Sequence, residues 1–442
     1  MRTLGLFGAV LIALTLIGLS LHQPGAITMP SPRATEAFVG LMAVAGGIYL
    51  LAARLVLRTA LPRAAVWLVL AVALGLRLSV LFAPPFLSSD VFRYVWDGKV
   101  QAAWINPYRY VPADPALAGL RDSAIYPHIN RADYARTIYP PAAQMMFALV
   151  ARVSPTVLAI KATMVVFECA AMAAMLVLLD SARQSRARLL IYAWNPLAVW
   201  AFAGNGHVDA LAVGLIGLAL LARGKLRDGL AGALLGAAVL VKFLPAAMAP
   251  ALWRRGDWRM PAGCVGVIAA LYAMYLEAGV HVLGFLPGYA AEEGIDRGNA
   301  FWLLAGIGEM ARVTPAMTAA YVVSALGLLG ALALWVVLRT GNGDADIVRV
   351  AEGAAILAGA TMVVLSPHYP WYFAWLALPC CLAPVRSVIY LSVAGLLLYL
   401  DPLDERFLWA SLLYVPAIAL AALDVRRRKL SRVIPLAAER SA

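Results

Sequence analysis

Runs of about twenty apolar residues recur along the whole chain, and each is long enough to cross a bilayer's hydrocarbon core as an α-helix. They fall near 4–21, 36–53, 64–82, 156–179, 188–204, 207–222, 260–280, 315–338, 347–365, 370–384, 386–400 and 407–424. Inside lipid every backbone N–H and C=O must find a partner within the protein, so only helices and closed barrels span. The runs are continuous rather than alternating, which selects helices. The expected fold is all-α and polytopic, with about 12 transmembrane helices plus short interfacial and re-entrant helices. One transmembrane domain is expected over 1–424, with a basic cytoplasmic tail at 425–442. Composition agrees: 14% of the residues are charged, against roughly 25% in soluble domains. No clear A-x-A cleavage site follows the first run, so it is expected to remain as a span.

Two apolar stretches do not fit as spans. Residues 140–152, "PPAAQMMFALVAR", are too short. Residues 229–253 are broken by "VKFLPAAMAP", where Pro245 removes a helix hydrogen bond and Lys242 would lie at membrane depth. Let the first dip in without crossing and the second return as a broken hairpin. Then Arg54/Arg58/Arg63, Arg183/Arg186/Arg188, Arg223/Lys225/Arg227, Arg254/Arg255/Arg259, Arg339/Arg349 and the tail "RRRKLSR" all face the cytoplasm. The net charge of +12 then reads as positive-inside anchoring and not as nucleic-acid binding. The polar segments left over share the opposite face. They are 83–140, "GNGHVDA" at 204–210, the hairpin tip at Lys242, 281–300, "SPHYPWY" at 366–372 and "DPLDER" at 401–406. The expected location is a bacterial inner membrane, with the active face toward the periplasm.

The densest of these segments, "SSDVFRYVWDGKVQAAW", reads as a helix begun by Ser88 or Ser89. At about 100° per residue, Asp90, Arg93, Tyr94 and Asp97 share a face, while Val91, Trp96 and Val100 point elsewhere, as on a helix resting at the interface. A carboxylate against apolar walls suits a general base, Arg93 suits phosphate, and Asp97 suits an organiser of Arg93. The competing reading is an aromatic interfacial belt with solvated charges, in which Trp96 and Trp104 are anchors. Tyr139 opens a Pro-rich helix start, which serves either as an anion site or as a rigid joint. His207 and Asp209 lie at a span end, as a polar cap or as substrate ligands. Lys242 either meets a phosphate or carboxylate or snorkels to the interface. His368 and Tyr369, with Trp371 and Tyr372, suit a sugar ring or its phosphate. Glu168 should pair within the bundle, and Arg77 should snorkel. Cys169, Cys264, Cys380 and Cys381 sit in apolar runs as small core residues.

The order of "SSDVFRYVWDGKVQAAWINPYRYVP", "YPPAAQ", "WNPLAVWAFAGNGHVDALAVGL", "GALLGAAVLVKFLPAAMAPAL" and "SPHYPWYFAWLALP" resembles the GT-C superfamily of membrane glycosyltransferases. The nearest likeness is to polyprenol-phosphate-mannose-dependent mannosyltransferases, including glycosyltransferase family 87. The last three segments are also similar to the mannosyltransferase of GPI-anchor assembly. The resemblance covers about residues 84–380. It implies Asp90 as the catalytic residue, in an inverting transfer of mannose from a polyprenyl-phosphate donor to a lipid or glycan acceptor at the outer face. Arg93, Tyr94, Asp97, Tyr139, His207, Asp209, Lys242, His368 and Tyr369 are the expected substrate contacts. The loop carries no D-x-D, so neither a divalent metal nor another cofactor is expected. The runs 4–21 and 36–53 stand as an addition before the loop's own span. A transporter or flippase of lipid-linked sugars is the alternative, and it would show midplane charges and inverted repeats. A non-catalytic subunit of a glycan-assembly machine is the third reading.

Overall fold

The computed structural model describes residues 1–22, 31–295, 297–340, 346–403 and 407–438. Every regular element among them is helical. The chain enters as α1 (Arg2–Ser20), α2 (Pro32–Arg58) and α3 (Ala65–Leu81), continues through α4 (Asp90–Ala102) and α5 (Pro141–Val153), and re-enters the bundle as α6 (Val157–Ser181). Local signals place these starts. Ser31 caps α2 ahead of Pro32, Thr156 caps α6, and Pro140-Pro141 opens α5.

The protein is a polytopic membrane protein. Among the described residues six helices are long and apolar enough to cross a bilayer: α1, α2, α6, Pro315–Thr340, Ile347–Leu365 and Leu408–Arg426. Two bent pairs raise the number to eight: Pro196–Gly204 with Asp209–Gly224, bent by 117°, and Arg259–Ala273 with Leu276–Glu292, bent by 112°. The count of 12 is not confirmed, because the other expected runs form shorter or interrupted helices. α3, with 17 residues, is slightly short. Run 188–204 is interrupted at Asn195-Pro196 and closes as a π-helical turn. Run 370–384 contains Pro370, Pro379 and Pro384 and winds as 3-10 turns. Run 386–400 is α-helical only over Arg386–Ala394. Apolarity marks depth in the membrane, and Pro196, Pro370 and Pro379 interrupt a continuous α-helix at that depth. Asp404, Glu405 and Arg406 of "DPLDER", the tail side chains beyond Arg426 and residues 439–442 lie outside the described residues.

The bundle interior carries a buried ion pair between α3 and α6. Arg77 of α3 reaches Glu168 of α6 with Nη2–Oε1 at 2.6 Å and Nε–Oε2 at 3.2 Å. The Tyr192 hydroxyl donates to Glu168 at 3.0 Å, and Arg77 Nη1 donates to the Ala193 carbonyl at 2.8 Å. Arg77 therefore does not snorkel. It is the partner Glu168 needs, and the fork geometry satisfies both groups.

The hairpin is present as read. The helix Asp228–Val239 stops, the chain turns through Leu240–Lys242, and it returns through Leu244–Met248 and Ala249–Leu252. Arg254 pairs with Asp228, and Arg223 Nε donates to the Leu252 carbonyl at 2.9 Å, so the segment comes back to the level at which it left. Its outgoing arm lies backbone to backbone against Arg259–Ala273. A Cβ on Gly232 would fall 1.9 Å from the Met260 carbonyl oxygen, and one on Gly263 would fall 2.2 Å from that of Gly229. Small residues are what allow helices to approach so closely in lipid. The hairpin tip is pinned to α5, whose Ala142 and Ala143 amides donate to the Leu240 carbonyl at 3.1 and 3.3 Å. The N-terminus of α5 is therefore engaged by protein. It is the rigid joint, not the anion site.

Candidate active site

Three chain segments converge around the head of α4. The first is the turn Asn205–Asp209. Asn205 Oδ1 accepts from the Phe86 amide at 2.8 Å and the Leu87 amide at 3.4 Å, which ties this turn to the residues leading into α4. Gly206 has φ +73, and a Cβ there would lie 3.0 Å from Val91 Cγ2. Glycine is required on both counts. The result sets His207 against Asp90, with Nδ1 3.8 Å from Oδ2. His207 is fully buried and stacks on Trp371, ring centroids 4.0 Å apart.

Asp90 is the first residue of α4, where the helix dipole favours a carboxylate. Its side chain is 21% exposed. Asn130 Nδ2 donates to Oδ1 at 3.2 Å. Burial pushes the carboxyl above its ordinary 3.8, while Lys242, the Asn130 hydrogen bond and Arg131 pull it back down. A partly accessible carboxylate held this way can take a proton from a hydroxyl.

The second segment is the hairpin tip. Lys242 Nζ donates to both carboxylate oxygens of Asp209 at 2.9 Å, and it lies 3.7 Å from the centre of the Tyr372 ring. Asp209, Ala212, Lys242, Leu244, Pro245 and Trp375 line a small recess beside this pair. The third segment is "SPHYPWY". Tyr369 stacks on Trp371 at 4.9 Å, and the Tyr372 hydroxyl meets that of Tyr289 at 3.1 Å. The site is thus a carboxylate, a paired cation and a wall of aromatic faces.

Asp90, His207, Asp209, Lys242 and Tyr369 come together. Tyr94 and Tyr139 lie beneath them, edge to face at 4.9 Å, with Tyr94 stacked on Phe147 at 4.7 Å. Arg93 and Asp97 turn away toward α5. Arg93 Nε donates to Asp97 Oδ1 at 2.9 Å and Nη1 to the Ala135 carbonyl at 3.1 Å. Gln144 Nε2 donates to Asp97 Oδ2 at 2.9 Å. These two residues bind the loop and α5 to α4. α4 is not an interfacial helix either: both its polar and its apolar faces are buried, and Trp96 packs on Tyr126 at 5.5 Å. Trp104, 87% exposed, fits the anchor reading. His368 sits apart, 3.6 Å from Asp401, and that interaction holds it above its ordinary 6.5. Sequence reading missed Asn130, Arg131, Tyr289 and Glu292. Asn130 and Arg131 lie in an irregular loop, and Tyr289 and Glu292 in a helix of 7 residues, too short for periodicity to mark a face. The four Cys are unpaired; Cys380 and Cys381 are buried core residues as expected, whereas Cys169 is exposed and Cys264 half-buried. Among the described residues no group of three or more His, Cys, Asp or Glu converges as metal ligands would.

An all-helical membrane domain with its accessible carboxylate, lysine and aromatic wall gathered where the helices end has the form of a membrane glycosyltransferase of the GT-C type. The family model described as alpha-(1->6)-mannopyranosyltransferase, N-terminal domain, matches residues 2–254, and the chain belongs to this mannosyltransferase family. The match contains Asp90, Asn130, His207, Asp209 and Lys242 and starts at residue 2, so α1 and α2 belong to the family domain and are not an addition to it. The comparisons with curated proteins and with solved structures gave no match.

Proposed function

We propose that this mannosyltransferase takes mannose from a polyprenyl-phosphate donor and passes it, with inversion, to a hydroxyl of a lipid or glycan acceptor at the periplasmic face of a bacterial inner membrane. The observation that carries the reading is Asp90, which is accessible, raised in pKa and flanked by Asn130 and His207 within the field of Lys242.

In the reaction, Asp90 removes the acceptor hydroxyl proton as the oxygen attacks the anomeric carbon. The bond from that carbon to the phosphate oxygen breaks on the opposite face, and polyprenyl phosphate leaves with the bonding pair. Charge grows on the leaving phosphate, so a nearby cation stabilises the transition state more than the ground state. Lys242, seated between Asp209 and the Tyr372 ring, is that cation. Tyr369 and Trp371 supply faces for the sugar, and His207 orients Asp90. Neither a metal nor another cofactor enters the scheme. The outer-face assignment is supported by the arrangement of α3 and α6. Each has Arg63 or Arg183 near the end remote from Asp90, as the positive-inside rule requires of a cytoplasmic end. A flippase is disfavoured because Asp90, Lys242 and the aromatic faces around them gather at one end of the bundle.

The test is transfer from polyprenyl-phosphate mannose by the purified protein. Asp90→Asn should lose about three orders of magnitude in rate with its melting temperature unchanged, as expected on removal of a general base. Near wild-type transfer by that variant would end the assignment.

A further inference from the structure

Next to Asn130, which holds Asp90, stands Arg131 with φ +54. Left-handed backbone is unfavourable for a residue with a Cβ, and such strain gathers at functional sites. Here it lets two consecutive side chains serve one place: Asn130 turns to Asp90, and Arg131 acts electrostatically on both Asp90 and Tyr369. Arg131 is nevertheless occupied. Its Nε donates to Glu292 Oε2 at 2.7 Å, and the Tyr134 hydroxyl donates to Glu292 Oε1 at 3.0 Å.

Glu292 ends the short helix Leu286–Glu292, which has no buried residue. The same helix sends the Tyr289 hydroxyl to Tyr372, the ring beneath Lys242. It therefore straps across from the Arg131 side of the site to the Lys242 side. Gly284 at φ +58 and Gly294 at φ +71 flank it, and Phe285 N–H is fastened to the Thr137 carbonyl at 3.1 Å. Both members of the Arg131–Glu292 pair are about 30% exposed, and ion pairs so placed are weak.

We propose that Arg131 is an anion-binding residue of the substrate site, and that Glu292 holds its guanidinium as a displaceable carboxylate until the phosphate of the lipid-linked sugar takes its place. The inference rests on the polyprenyl-phosphate reading given above. A guanidinium fork donates to carboxylate and to phosphate oxygens with the same geometry. The donor is a phosphodiester with a single charge, whereas the leaving group is a monoester that carries more. Arg131 therefore binds the departing phosphate more tightly than the donor and adds to the effect of Lys242.

The experiment uses the full-length protein in lipid nanodiscs, titrated with a short-chain polyprenyl phosphate alone. Arg131→Gln should weaken binding about tenfold or more, the loss expected of a charge-assisted hydrogen bond. Glu292→Gln should tighten it about threefold, since one weak competing pair is removed. Tyr134→Phe, which removes a hydrogen bond that holds Glu292, should act in the same direction as Glu292→Gln. In the Arg131→Gln background, Glu292→Gln should change nothing. Should Arg131→Gln fail to fold, the two other single variants, at exposed or half-buried side chains, decide the matter. A folded Glu292→Gln protein with unchanged or weaker binding overturns the proposal. Wild-type protein that transfers mannose from another donor but does not bind the lipid phosphate overturns the donor reading and this inference together. Binding to the wild type that none of the variants alters overturns this inference alone.

Discussion

Replacing Lys242 with Met separates what this lysine does for the fold from what it does for the reaction. The side chain of Asp209 is 2% exposed and that of Lys242 19%. Lys242→Met thus strands a carboxylate that cannot reach water, and breaking a buried pair on that side costs about 3–5 kcal/mol. Asp209→Asn strands the ammonium instead. It retains partial solvent access and the Tyr372 ring at 3.7 Å, which limits the loss to about 1–2 kcal/mol. The double variant Lys242→Met/Asp209→Asn removes both charges and should recover to within about 1 kcal/mol of Asp209→Asn. Thermal unfolding in detergent, followed by tryptophan fluorescence, reads the stability order. Transfer measured on the same samples reads the chemistry. The double variant should melt near Asp209→Asn yet transfer mannose about a hundredfold more slowly than wild type, because no ammonium faces the leaving phosphate. The reasoning is refuted if Lys242→Met destabilises no more than Asp209→Asn. It is equally refuted if the double variant regains full activity.

Other outcomes follow from the same geometry. kcat/KM should rise with pH through the raised pKa of Asp90, since only the ionised carboxylate takes a proton. Lys242 pulls that pKa down, so Lys242→Met should move the acid limb to higher pH, and a limb that stays put or moves lower contradicts the assignment. Gly232→Ala, whose Cβ would lie 1.9 Å from the Met260 carbonyl oxygen, should destabilise by about 3 kcal/mol through forced separation of the two helices. Gly266→Ala on the opposing helix, with open space at its Cβ, should be neutral, and equal melting of the two variants would argue against the close packing. Arg77→Met should cost about 3–5 kcal/mol and Arg77→Met/Glu168→Met much less, in a double-mutant cycle read by thermal unfolding.

Much of the architecture was legible because membrane depth leaves a coarse signature. The short α5 and the break at Lys242 were both visible in advance: Pro140-Pro141 and Pro245 interrupt apolar runs, and a lysine in such a run needs a reason. The same signature runs unbroken through 370–384, where prolines wind the backbone into 3-10 turns, and through 386–400, where the α-helix ends at Ala394 and 3-10 turns follow. At the site, Asp90, His207, Asp209, Lys242 and Tyr369 stood out as polar or aromatic groups at the ends of apolar runs, and the structure gathers them. Arg93 and Asp97 shared the helical face of Asp90 on a helical wheel. Yet a wheel gives angles and not neighbours, and Gln144 and the Ala135 carbonyl were already waiting for them. Asn130, Arg131 and Glu292 depend on a left-handed residue and on a strap from far along the chain, neither of which has a sequence pattern.

The returning hairpin has a consequence for how such a protein can change. A segment that crosses the bilayer fixes the direction of everything after it. One that leaves and returns on the same side contributes nothing to that parity, as the contact between Arg254 and Asp228 makes plain. Residues can be gained or lost on the way to the tip without inverting a single later helix. Lys242 is carried on a side branch whose reach toward the substrate can be adjusted while the rest of the bundle keeps its orientation.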